Sequence, residues 1–161
     1  MAMCSLCLQD KELIKRSHII PDFMYQEIFD DKHRLVRFSK DNFPRHSTPP
    51  TGEYESDLLC ADCDNRLLGG FESYGRQVLY GGNIPVQMQN FRQSDGLTFT
   101  QVTGINYLKF KLFLLSLLWK ASISKRDFFK NVQLGPYQEI LRKMLLERNP
   151  ESHNAFPCRY W

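Results

Sequence analysis

The sequence has no apolar run long enough to cross a bilayer. Its longest, Leu112 to Trp119, is interrupted by Ser116 and bracketed by Lys109, Lys111 and Lys120, far short of the ~20 residues a spanning helix needs. A buried helix is the better reading, and a membrane partner is not expected. An apolar signal segment is missing too, because the N-terminus is polar and carries cysteine where such a segment needs a hydrophobic stretch. A soluble, cytoplasmic protein is therefore expected. No internal repeat, low-complexity segment or clear domain boundary divides the 161 residues, so one compact domain is the default. Net charge is small, with 21 Lys and Arg against 18 Asp and Glu, which gives little overall pull on a polyanion. Acidic residues are scarce in one region, however. Residues 104–148 carry nine Lys and Arg against three Asp and Glu, whereas residues 1–103 carry eleven against fourteen. The second half can present a basic face. Lys125, Arg126 and Lys130 form its densest cluster and are candidates for phosphate contact, although a solvated helix surface accounts for such an excess equally well.

Cysteines are few, at five, and a chain expected in the cytosol does not assemble them into a disulfide framework. Four fall in two C-x-x-C pairs, Cys4–Cys7 and Cys60–Cys63, which is metal-site spacing. Two thiolates in a tight turn grip one Zn²⁺, and a second pair completes the tetrahedron. Four sulfurs leave no open coordination position, so the expected role is structural, with zinc supplying part of the folding free energy. Cys158 stands alone and reads as a free thiol.

The elements between these landmarks are an α-plus-β mixture. Pro21 suits the first position of a short helix over 22–29, and 33–39 alternates as a half-buried strand does. Residues 40–54 hold three prolines and read as a surface loop. The second knuckle opens a helix to about Tyr80, ended by Gly81–Gly82. Gly69–Gly70 inside it predicts either a break or a close neighbour, since each glycine costs ~1 kcal/mol relative to alanine. A strand is expected over 96–102 and a largely buried helix over 104–123. Ser124 is placed to N-cap a helix over 125–131. A final helix over 136–147 turns Ile140, Leu141, Met144 and Leu145 inward. The aromatic tail "NAFPCRYW" is expected to dock or to continue into a longer chain.

Read together, Cys4-Ser-Leu-Cys7, then Ser17-His18-Ile-Ile-Pro21, then Leu59-Cys60-Ala-Asp-Cys63 entering a helix resemble the HNH endonucleases whose ββα-metal hairpin is braced by a four-cysteine zinc. The match spans roughly residues 4–66. The resemblance implies an α+β fold, with a zinc-braced treble-clef or ββα-metal-like half over 1–82 packed with a mainly helical half over 83–161. It also implies a metal-dependent DNA endonuclease, in a bacterial defence, toxin or mobile-element setting. His18 would be the general base activating water against a phosphodiester, a task histidine suits by its chemistry; from the residues alone it also reads as a helix-start histidine bonding backbone, a supporting partner of the zinc, or a direct zinc ligand. The acidic residue that precedes the histidine in that family is Ser17 here, Glu55–Ser56 stand near its asparagine, and its last histidine is Asp64. Asp64, with Glu72 two helical turns on, supplies carboxylate oxygen suited to Mg²⁺ or Mn²⁺. The second half is similar to uncharacterised bacterial proteins with the same opening motifs. A catalytically silent treble-clef module that binds nucleic acid or a protein partner is the alternative.

Overall fold

The computed structural model describes residues 1–32 and 52–158; the strand expected over 33–39 and most of the proline-rich loop lie outside the described residues. The chain opens with a two-stranded antiparallel ribbon, β1 (Ala2–Met3) and β2 (Asp10–Lys11), whose turn is the first cysteine knuckle. A second ribbon joins β3 (Ser17–His18) to β4 (Tyr54–Glu55), pairing Ser17 with Glu55 and His18 with Tyr54. Between them, Asp22–Ile28 forms a 3₁₀-helix that begins after Pro21. A helix was expected there; it is wound as a 3₁₀-helix, the tighter geometry usual for such short segments, with the Met24 N–H on the Pro21 carbonyl three residues back and the closing Phe29 N–H reaching four back, to Tyr25.

The helix opened by the second knuckle runs unbroken to Tyr80. Its first stretch, Asp62–Leu68, is π-helical, and it continues as α1 (Gly69–Tyr80). Gly69 marks the change of winding: its N–H bonds the Asp64 carbonyl five residues back. Neither glycine of the Gly69–Gly70 pair breaks the helix. The close neighbour is found instead at Gly75, where an added Cβ would lie 2.5 Å from the Phe113 ring. That glycine lets α1 approach α2 (Tyr107–Ile123).

An exposed ribbon of β5 (Gln87–Arg92) and β6 (Thr98–Thr103) connects the two helices, and its outer strand corresponds to the one expected over 96–102. Asn106 caps α2, its side-chain oxygen accepting the Lys109 N–H at 3.1 Å. The helix buries Phe110, Leu112, Phe113, Leu115 and Trp119, as its almost continuous apolar sequence demands. α3 (Tyr137–Glu147) covers it with Leu141, Met144 and Leu145. Ile140, expected on that inner face, is 40% exposed. No α-helix forms over 125–131. A 3₁₀ turn at Asp127–Phe129 stands there, because Ser124 Oγ donates to Glu55 while accepting the Arg126 N–H, which fixes the chain as a turn.

One apolar cluster unites the halves: Cys4, Leu6, Leu59 and Leu68 pack with Trp119, Leu141 and Leu145. Burying a leucine-sized side chain contributes about 1.5–3 kcal/mol, so the cysteine-bearing segment is anchored to α2 and α3 as well as to itself. Arg142 adds a bond to the Leu6 carbonyl. The tail docks through residue 158, as Lys111, fully buried, donates to the carbonyls of Ser152 and Ala155. No helix among the described residues is long and apolar enough to cross a membrane.

Candidate metal centre and adjoining cleft

Two turns bring the four cysteines together. In the first, the Leu8 N–H bonds the Cys4 carbonyl at 2.9 Å and the Cys4 N–H bonds the Gln9 carbonyl at 3.0 Å, with Leu8 at φ 56°. In the second, the N–H groups of Cys63 and Asp64 bond the Cys60 carbonyl at 3.1 and 2.9 Å. The turns are tied directly as well. The Ser5 N–H reaches the Leu58 carbonyl, the Ile14 N–H reaches the Leu59 carbonyl, and the Cys60 N–H donates to the Cys4 sulfur at 3.3 Å.

The sulfurs of Cys4, Cys7, Cys60 and Cys63 all lie within 4.8 Å of one another. A tetrahedron with metal–sulfur bonds of about 2.3 Å fits that spacing, so the four could hold a metal such as zinc. The thiols differ in proton affinity. Burial raises the Cys4 thiol, but N–H donation from Cys7, Cys60 and Leu6 outweighs it and brings the pKa to about 7. Burial drives Cys63 strongly upward, and the negative charge at Cys4 adds to it; Cys7 is raised by the same two effects. One thiolate forms readily and its neighbours resist, which is how crowded sulfurs behave until a cation neutralises them.

Beside this cluster lies a cleft of about 260 Å³ lined by Arg16, His18, Asp64, Asn65, Gly69 and Glu72. β3 supplies the histidine and the π-helical stretch supplies Asp64 and Asn65. Single π turns are uncommon and concentrate at functional sites. Ser17, wholly buried, donates its hydroxyl to Asp64 Oδ1 at 2.6 Å. That bond fixes one carboxylate oxygen and leaves the other to accept a hydrogen bond or to coordinate a cation.

Glu72 is held differently. Lys120, 1% exposed in the middle of α2's apolar surroundings, donates to Glu72 Oε1 at 2.5 Å and to the His18 carbonyl at 2.8 Å. A buried ammonium needs such partners, since leaving it unpaired costs several kcal/mol. His18, Asp64 and Glu72 therefore share one cleft without forming a closed ligand set. Among the described residues, the four cysteines are the only group of three or more His, Cys, Asp or Glu whose ligand atoms all fall within 4.8 Å.

The basic cluster of the second half divides. Lys125 uses its backbone N–H to bond Glu55 Oε1 at 2.6 Å. Arg126 reaches the ribbon with its side chain, Nε and Nη2 donating to the Tyr54 carbonyl at 2.8 and 2.6 Å. Lys130 is exposed at the end of the 3₁₀ turn, away from the cleft's lining.

Ser17, Lys120, Arg16 and Asn65 are site residues that sequence reasoning did not single out. A signal for Lys120 was present: a lysine inside a run as apolar as "LLWKASI" must find a partner if the helix is buried on most sides. Its partner lies 48 positions away and nothing local names it. No protein-family model, curated protein or solved structure matches the chain.

Proposed function

We propose that the protein is a zinc-braced, HNH-like nucleic-acid enzyme that hydrolyses phosphodiester bonds of DNA at the His18 cleft. The observation that carries this reading is the shared lining of one small cleft by His18, Asp64, Asn65 and Arg16, beside the four-cysteine cluster. The cysteines hold zinc in a treble-clef arrangement. The ion's role is structural, because four sulfurs complete its coordination.

In the cleft, His18 takes a proton from water as the water oxygen attacks phosphorus. The bond from phosphorus to the leaving sugar oxygen breaks, and that oxygen leaves with a proton from solvent. Arg16 steadies the phosphate oxygens with its guanidinium, a geometry well matched to them. The carboxylate of Asp64 fits Mg²⁺ or Mn²⁺, since such ions bind through one or two carboxylates plus substrate phosphates. When bound, the ion supplies charge stabilisation to the phosphate and the leaving oxygen. Ser17 orients Asp64. Glu72, occupied by Lys120, holds the backbone of His18 in place through that lysine.

One observation favours a second reading, a silent module that binds nucleic acid or a protein. Asp64 and Glu72 each already have a protein partner, so neither requires a cation. Supercoiled plasmid incubated with the zinc-loaded protein in Mg²⁺ or Mn²⁺ separates the two. Nicking that disappears in His18→Ala and Asp64→Asn supports the enzyme. Plasmid left intact by a folded, zinc-containing protein rejects the enzyme in favour of the silent module.

A further inference from the structure

The exposed side of the β3–β4 ribbon carries two arginines on one tyrosine. The guanidinium carbon of Arg16 lies 4.6 Å from the Tyr54 ring centroid and that of Arg126 lies 5.4 Å from it. Both are within the range at which a cation is attracted by an aromatic face. Tyr54 pairs with His18 across the ribbon, and the two rings meet edge-on at 6.2 Å. Arg16 also lines the cleft itself. Arg126, Arg16 and His18 thus all meet the Tyr54 ring, and two guanidinium groups are held against it.

The fork of Arg126 is fixed by two bonds to the Tyr54 carbonyl, and it has no carboxylate partner among the described residues. Two of its five N–H donors are thereby used, and the remaining three are available to phosphate oxygens. Glu55 on the same ribbon is 8% exposed and accepts from Ser124 Oγ and the Lys125 N–H, so its carboxylate is taken up by groups other than the Arg126 guanidinium.

We propose that Arg126, Tyr54 and Arg16 form a ledge that grips the DNA backbone beside the scissile phosphate, with the second half of the chain contributing a strand-positioning residue through Arg126. This inference rests on reading the cleft as a nucleic-acid site. Arg126 acts on binding and register, and it takes no part in the bond-breaking step.

The test is fluorescence anisotropy with a labelled 20-base-pair DNA duplex over a range of NaCl concentrations. The protein is zinc-loaded and no Mg²⁺ or Mn²⁺ is added, so binding is read without cleavage. Arg126→Gln and Arg16→Gln are each expected to weaken binding several-fold and to lower the slope of log affinity against log salt by about one. Arg126→Lys, which keeps the charge, should restore the slope. Thermal melting of each variant excludes unfolding as the cause. Unchanged affinity and slope in folded variants would overturn the ledge, as would wild-type protein that binds no duplex. Plasmid nicking, measured separately, distinguishes the two claims: wild-type binding that depends on Arg126 without nicking retains the ledge and removes the enzyme, whereas nicking with Arg126-independent binding does the reverse.

Discussion

Replacing Lys120 with methionine removes the ammonium that joins α2 to both walls of the cleft while keeping a side chain of similar length. The lysine is 1% exposed and its partner carboxylate on Glu72 is 24% exposed. Breaking a buried pair from one side costs about 3–5 kcal/mol, because a charge is left uncompensated. Glu72 retains some access to water, so the lower end applies, about 3 kcal/mol. For a chain of this size that corresponds to a fall in melting temperature of roughly 6–12 °C. Adding Glu72→Gln to the same chain removes the stranded charge and should recover much of the loss. The assay is a double-mutant cycle by urea denaturation, with the coupling energy between the two positions as its readout. A coupling below about 0.5 kcal/mol, or a single variant as stable as wild type, would refute the reasoning that this pair holds the cleft together.

Cys60→Ser and Cys63→Ser should each yield protein that has lost zinc and is unfolded or insoluble, checked by metal analysis and circular dichroism; a well-folded zinc-free variant would reject the structural role. Ser17→Ala should cost about 1.5–3 kcal/mol, the value of a hydrogen bond to a charged group, and should slow plasmid nicking, because Asp64 is no longer held. Gly75→Ala drives a methyl group into the Phe113 ring, whose nearest atom is 2.5 Å from the new Cβ, so it should destabilise by about 1–3 kcal/mol. Gly70→Ala has open space around its Cβ and, by removing a helix-interior glycine, should stabilise by up to ~1 kcal/mol.

What could be seen in the sequence was what depends on spacing along the chain. The C-x-x-C turns are local geometry, so Cys4, Cys7, Cys60 and Cys63 could be grouped before any contact was known, and their sulfurs do converge. The long buried helix was visible because its apolar residues continue around every face. What could not be seen depends on contacts between distant segments. Ser124 has the chemistry of an N-cap, but Glu55, 69 positions away, captures its hydroxyl and a turn results. The β5 strand is missed because all six of its residues are exposed and no alternation marks it. Glu72 was placed near Asp64 by helical periodicity, and both do line the cleft. That it would be engaged by a lysine on another helix could be read only from the packing of α1 on α2.

The rate of plasmid nicking by the zinc-loaded protein in Mn²⁺, measured beside His18→Ala at equal zinc content, tests the central claim most directly. The account expects nicking by the wild type and a loss of at least a hundredfold in the variant, the usual contribution of a general base, while duplex binding by the variant persists. Equal nicking by both, or none by either with zinc and fold intact, would contradict it.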